Sequence, residues 1–230
     1  MTKPVLAPLP VIAIVGGTGD LGTGLARRWV QAGYTVVIGS RTADKAEAAA
    51  AELKALMQER GVATIDVRGA DNVSAAQAGD IVALTVPFSH QAPTLEQVKS
   101  ALEGKILIDV TVPLVPPKVM RVQLPAEGSA GQIAQKILGD SVRVVSAFQN
   151  VAAHHLQEGH ALDCDVLVCG DDKDARAQVI ALVEAAGMRG FHAGSIANAA
   201  AAEALTSLLI FINKQYNCHA GIRITGLNDQ

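Results

Sequence analysis

The chain of 230 residues is half hydrophobic, 18% charged, and carries a formal net charge of -3. That length buries either one larger domain or a standard domain with a smaller appendix, and the absence of any run of like charge excludes a nucleic-acid surface, a basic arm and an acidic tail. Three cysteines, Cys164, Cys169 and Cys218, form no C-x-x-C pair, which argues against zinc and disulfides and for a reducing compartment.

The opening MTKPVLAPLP is broken by prolines and holds no apolar stretch long enough for a secretory signal. No apolar run approaches the ~18–20 residues of a membrane span, so a soluble cytoplasmic protein is expected. Scarce aromatics, replaced by Ala, Val, Ile and Gly, suit close helix-on-sheet packing.

In chain order, strands are expected at VIAIVG (11–16), TVVIGS (35–40), TIDVRGA (64–70), DIVALTVP (80–87), KILIDVTVP (105–113), RVVSAF (143–148) and DVLVCGDD (165–172). Most lack polar/apolar alternation, as strands covered on both faces do, which predicts a parallel α/β sheet. Helical patterns lie between them: LGTGLARRWVQAG closes at Gly33, and TADKAEAAAAELKALMQERG opens on a Thr/Asp cap and closes at Gly61. The proline-rich VPLVPPKV and the following QLPAEGSAG read as a long excursion over the carboxyl edge of the sheet. From about residue 151 the alternation continues in a smaller unit and ends in a long helix, NAAAAEALTSLLIFINKQYN (198–217). Apolar residues around much of that helix predict burial against the first unit or a subunit partner.

Between the first strand and the first helix stands Gly17-x-Gly19-x-x-Gly22. In this context Gly17 permits a tight turn, Gly19 lets backbone reach a pyrophosphate, and Gly22 lets the helix lie close on the sheet, with the helix N-terminus facing the anion. The expectation is an α/β, Rossmann-type fold: a mostly parallel sheet with helices on both faces, with residues 1–150 binding a dinucleotide and 151–230 forming a smaller C-terminal α/β domain.

An NAD-specific site would carry Asp or Glu at the end of the second strand. Here Ser40 and Arg41 stand in its place, with Lys45 one helical turn later and Thr18 in the glycine loop. A 2′-phosphate needs donors and positive charge, and a guanidinium meets two of its oxygens at once. A merely solvated helix start leaves unexplained why two cations occupy a positively polarised N-terminus. NADP is therefore the expected dinucleotide.

For the reacting partner the residues say less. Neither Tyr34 nor Tyr216 has a Lys four residues on, and His90, His154, His155, His160, His192 and His219 each read more readily as surface or structural residues than as proton donors. A site without an obvious acid or base fits hydride transfer between two stacked rings, for which proximity and orientation suffice.

The segments GGTGDLG (16–22), IGSR with Lys45, LTVP (84–87), VVSAFQNVAA (144–153), DVLVCGDD (165–172), AGSIANA (193–199) and EALTSLLIFIN (203–213) together resemble the NADPH-dependent coenzyme F420 reductase family. The resemblance implies hydride exchange between NADP(H) and the 8-hydroxy-5-deazaflavin F420, and a homodimer with the C-terminal domain closing over the cleft. It implies that Thr18, Ser40, Arg41 and Lys45 hold the 2′-phosphate. Val86, Pro87, Val151 and Ala153 would border the nicotinamide, while Asn198, Leu205 and Thr206 face the deazaflavin; Asp20, Leu21 and Val112 complete the implied cofactor-binding set. The archaeal pattern has His, Arg and Ser at the positions of Gln149, Ala200 and Ala204, all close to the deazaflavin, so this chain loses two cationic contacts to an acidic ligand. The alternatives are an NADPH-dependent flavin or ferric-chelate reductase and a non-catalytic NADP-sensing module. A dehydrogenase with a catalytic Lys ranks last, since Lys214 is its sole candidate.

Overall fold

The structure, a computed structural model, describes residues 8–158 and 162–226. His160 and the first seven residues of the N-terminal stretch lie outside the described residues. The strands are β1 (Ile12–Val15), β2 (Val36–Ser40), β3 (Val67–Asp71), β4 (Ile81–Leu84), β5 (Ile106–Asp109), β6 (Arg143–Ser146), β7 (Asp165–Gly170) and β8 (Arg189–His192). They form one eight-stranded sheet in the order β3-β2-β1-β4-β5-β6-β7-β8. Every neighbouring pair is parallel except β6 with β7.

The continuous apolar strands are continuous because both faces are covered. Ile12 and Ile14 belong to the core on one face, with Leu25 and Trp29, whereas Ala13 and Val15 belong to the core on the other, with Leu95 and Leu107. This is the period-two alternation of a pleated strand, with both sides apolar.

Among the described residues seven α-helices lie between strands and an eighth follows β8: α1 (Asp20–Gln31), α2 (Ala43–Glu59), α3 (Asn72–Ala78), α4 (Phe88–Val98), α5 (Ala130–Leu138), α6 (Ala153–Gln157), α7 (Lys173–Ala185) and α8 (Ala199–Tyr216). The Ala-rich α2 buries Ala46, Ala50, Leu53 and Met57, one stripe at helical spacing. It lies so close to β3 that a Cβ on Gly69 would fall 2.2 Å from the backbone of Ala46.

Two differences from the sequence expectation have physical reasons. The edge strand β8, RGFH, was not expected; its residues are exposed or half-buried, so it carries no apolar run. Secondly, α8 with its preceding 3-10 turn, Ile196–Tyr216, is by length and composition apolar enough to cross a membrane, contrary to the expectation that no run approaches that length. Its own contacts dock it elsewhere: Ala199, Ala202, Glu203, Ser207 and Leu209 are buried, and the Glu203 carboxylate accepts from the Ala130 and Gly131 N–H groups.

Candidate functional site

The end of β1 turns on Gly16, with φ of +71°, where a Cβ would lie 2.4 Å from Val86 Cγ1. The left-handed residue is thus Gly16, and Gly17 is small for a different reason: its Cβ would meet the Ile14 carbonyl oxygen at 2.7 Å. A Cβ on Gly22 would lie 2.6 Å from Gly17 Cα, so the first turn of α1 is pressed onto the loop. Gly19, the N-cap of α1, has nothing within 4 Å of its Cβ position and no side-chain cap. The uncapped N–H groups at that helix start are the elements of an anion site.

The loop is fixed from outside. Gly16 N donates to Asn72 Oδ1 at 3.1 Å, and Gly17 N donates to the Gly39 carbonyl at 2.8 Å. Asn72 is buried at the start of α3, which Asp71 caps by accepting from the Val73 and Ser74 N–H groups.

A cleft of about 740 Å³ opens above these elements. It brings together Thr18 and Gly19 from the loop, Ser40 at the end of β2 with Arg41 and Lys45 after it, and Val86 and Pro87 after β4. Gly17, Asp20, Leu21 and Gly22 shape the loop and helix start without lining the cleft. His90, Thr94 and Gln97 of α4 line it too, as do Thr42, Asn72 and Thr85. Sequence reasoning had named His90 only as a doubtful proton donor and missed the others; Thr94 and Gln97 lie one and two helical turns beyond His90, and that spacing was the available signal.

Of the residues expected on the nicotinamide side, Val86 and Pro87 line this cleft, whereas Val151 and Ala153, together with Val112 and the deazaflavin-side Asn198, Leu205 and Thr206, do not. Val112 follows β5, and Val151 lines a separate cavity of about 360 Å³ with His155, Cys164 and His219. Ala153 opens α6, a helix held against α1 by Arg28, which donates to the Leu156 and His155 carbonyls at 3.1 and 2.9 Å. Asn198 donates to the Ala193 carbonyl at 2.7 Å, and Thr206 Oγ1 donates to the Gln149 carbonyl at 2.8 Å. Leu205 is half-buried beside it.

His154 and His155 pair with Glu158 at 3.6 and 3.3 Å. Among the described residues no group of three His, Cys, Asp or Glu is placed to hold a metal ion. Cys164, Cys169 and Cys218 are free thiols.

Three buried carboxyls escaped the sequence reading, of which Asp165 of β7 is paired with Arg189. Asp109, at the end of β5, is fully buried, and burial pushes its carboxyl above the usual range. Glu203 on α8 is 1% exposed, and burial pushes its carboxyl up to about 8. Neither Asp109 nor Glu203 lines the 740 Å³ cleft.

A family model for NADP oxidoreductase, coenzyme F420-dependent, matches residues 11–113. Over 222 residues the chain is 41% identical to the F420-dependent NADP reductase of Methanocaldococcus jannaschii, covering 94% of this chain and 98% of that one. The chain belongs to the F420-dependent NADP reductase family. The reductase is equally 41% identical, over 226 residues, to its counterpart from Methanothermobacter thermautotrophicus, covering 95% and 96% of the two chains. A crystal structure from an Arthrobacter species, described as an F420-dependent NADP-reductase, superimposes with a TM-score of 0.73 at 26% identity, covering 91% of this chain and 96% of that one.

The glycine geometry separates binding from folding in this reductase. Gly19→Val enters open space, so the variant is expected to fold, with a melting temperature near that of the wild type. If the loop holds a pyrophosphate, the added side chain crowds it, and NADPH binding is expected to fall at least about tenfold. Titration of NADPH fluorescence checks this; unchanged affinity would remove the loop from the binding site.

Proposed function

We propose that the reductase passes a hydride between NADP(H) and the deazaflavin: F420H2 + NADP+ → F420 + NADPH + H+. The observation that carries the NADP half is the exit of β2, where Ser40, Arg41 and Lys45 share one cleft with Thr18 and no acid stands at the strand end. Two cations and two hydroxyls there suit a 2′-phosphate and have no use for a bare ribose. The 41% identity with reductases named for F420 supports the second half.

In this reading residues 1–150 hold the dinucleotide and residues 151–230 complete the deazaflavin side. Val86, Pro87, Val151 and Ala153 border the nicotinamide, Asn198, Leu205 and Thr206 face the deazaflavin, and Val112 belongs to the cofactor-binding set. The chain supplies orientation and exclusion of water, without a dedicated acid or base. Asp109 and Glu203 lie outside the cleft lining and His90 lies within it; orientation is what ring-to-ring transfer asks of the protein. Three free thiols fit a reducing, cytoplasmic compartment.

The test is the absorbance change on mixing the protein with NADP+ and reduced deazaflavin, run beside NADPH with FMN. Turnover with the deazaflavin alone is expected; turnover with FMN alone would mean that Gln149, Ala200 and Ala204 mark a change of acceptor.

The homodimer belongs to the same proposal. Leu208 and Phe211 on α8 are 48% and 54% exposed, and Val115, Met120, Val122 and Leu124 of the loop before α5 are exposed as well. Ser207 Oγ, donating to the Arg121 carbonyl at 3.4 Å, joins that loop to α8. Exposed large apolar side chains on two joined elements are what an interface would cover. Phe211→Glu is expected to convert a dimer to monomer in sedimentation experiments, and a wild-type monomer at micromolar concentration would end the proposal.

A further inference from the structure

Glu203 belongs to a hydrogen-bonded ring that leaves α8 and returns to it one turn later. The Glu203 carboxylate accepts from Ala130 N at 2.7 Å and Gly131 N at 3.0 Å, at the start of α5. The Ala130 carbonyl accepts from Gln91 Nε2 of α4 at 2.9 Å, and the same Gln91 nitrogen donates to the Asp109 carboxylate of β5. The Asp109 backbone carbonyl accepts from Gln149 Nε2 at 2.8 Å, after β6, and the Gln149 carbonyl accepts from Thr206 Oγ1 at 2.8 Å, back on α8.

The members of the ring are closely buried: Glu203 1%, Gln91 1%, Asp109 0% and Gln149 5% exposed. Gln149 cannot turn its amide over, because its nitrogen must face the Asp109 carbonyl. Its Oε1 is therefore a fixed acceptor, and it has no hydrogen-bond partner among the described residues. A buried network keeps an unmet acceptor at a cost, and this one lies where the β6 exit meets the α8 wall.

We propose that Glu203 is a positioning residue that pegs the α8 wall, with Leu205 and Thr206, against the exits of β5 and β6, and so sets the affinity for the deazaflavin. This rests on the function proposed above. Removing the peg frees α8 from α5 while leaving the cleft around Arg41 and Lys45 intact, since none of the ring residues lines that cleft.

The peg is sensitive to protonation. The titratable groups around Glu203 are Asp109 of β5, which further raises its carboxyl, and Cys169 of β7, whose thiol burial and the nearby Glu203 push up to about 11; Arg176 of α7 acts on Cys169 in the opposite direction. Lys136, the charged residue of α5, faces solvent beside Glu127, and the 3-10 turn Ile196–Asn198 is uncharged. Burial, with a smaller contribution from Asp109, raises the folded-state value to about 8 against the Ala130 and Gly131 N–H bonds, which favour the anion, so the fold as a whole favours the neutral carboxyl. That contribution is whole below the unfolded-state value and is lost as pH rises through about 8, when an anion forms within reach of buried Asp109.

The experiment measures dissociation constants of the wild type, Glu203→Gln and Glu203→Ala for oxidised deazaflavin and for NADPH, from pH 6.5 to about 9.5. In the wild type the deazaflavin constant is expected to rise about tenfold across that range, as the docked population falls, while that for NADPH stays flat. Glu203→Gln, neutral throughout, is expected to flatten the deazaflavin profile; Glu203→Ala is expected to bind weakly at every pH, with NADPH affinity kept. The deazaflavin's own titration is common to all three proteins and cancels in the comparison. An alkaline loss in Glu203→Gln equal to that of the wild type overturns the proposal, as does an equal loss of NADPH affinity in Glu203→Ala. No deazaflavin binding by the wild type at any pH would instead overturn the function proposed above.

Discussion

Arg41→Ala is expected to raise the KM for NADPH by about 10- to 100-fold, the loss of one charge-assisted contact of about 1.5–3 kcal/mol. The KM for NADH should change less than about twofold, because NADH presents no 2′-phosphate for the guanidinium to meet. Arg41 immediately precedes Thr42, the N-cap of α2, and Lys45 lies within the first turn of that helix. Two cations at a positively polarised helix end disfavour each other and the helix until an anion joins them. The variant should therefore lose the phosphate contact without losing stability, and the salt sensitivity of NADPH binding should fall with it. Steady-state kinetics with both dinucleotides at low and at physiological ionic strength give the result; equal losses for NADPH and NADH would remove Arg41 from the 2′-phosphate.

That prediction was readable from sequence because every residue it needs lies within one strand–loop–helix unit. Gly17, Gly19 and Gly22 are tied to α1 by spacing, and Ser40, Arg41 and Lys45 to the end of β2, so local rules sufficed. Six of the eight strands were legible for a related reason: strands covered on both faces write themselves as apolar runs; the edge strand β3, VRGAD, was found although none of its residues is buried. The edge strand β8 is covered less and wrote nothing. The strand tails in TVP, after β4 and β5, were over-read, because the chain has already left the ladder at Leu84 and Asp109. The ring through Glu203, Gln91, Asp109 and Gln149 joins residues from four distant parts of the chain, and no periodicity connects them. A lone Glu in an apolar helix was its one trace, and burial is what gives that Glu meaning.

Trp29→Ala is expected to lower stability by about 3–5 kcal/mol, the range for deleting a large aromatic from a packed core. Trp29 is fully buried on α1, and it meets Phe148 edge to face with ring centroids 6.2 Å apart. Its Nε1 donates to the Leu182 carbonyl of α7 at 2.9 Å. One side chain thus joins the glycine-loop helix, the β6 exit and a helix of the C-terminal unit, and the core on that face runs without a break from Ile14 through Trp29 to Val179. The division at residue 150 is then proposed as one of role, with a single core beneath it. Calorimetry of the wild type should show one transition, and Trp29→Ala should move it as a whole, by roughly 6–20 °C for a chain of this size. A variant that splits the transition, leaving one part at the wild-type temperature, would mean that residues 151–230 fold as an independent body and that α1 only leans on them. A single shifted transition would mean that the deazaflavin wall and the dinucleotide loop share one cooperative unit, so that strain at either is felt at the other.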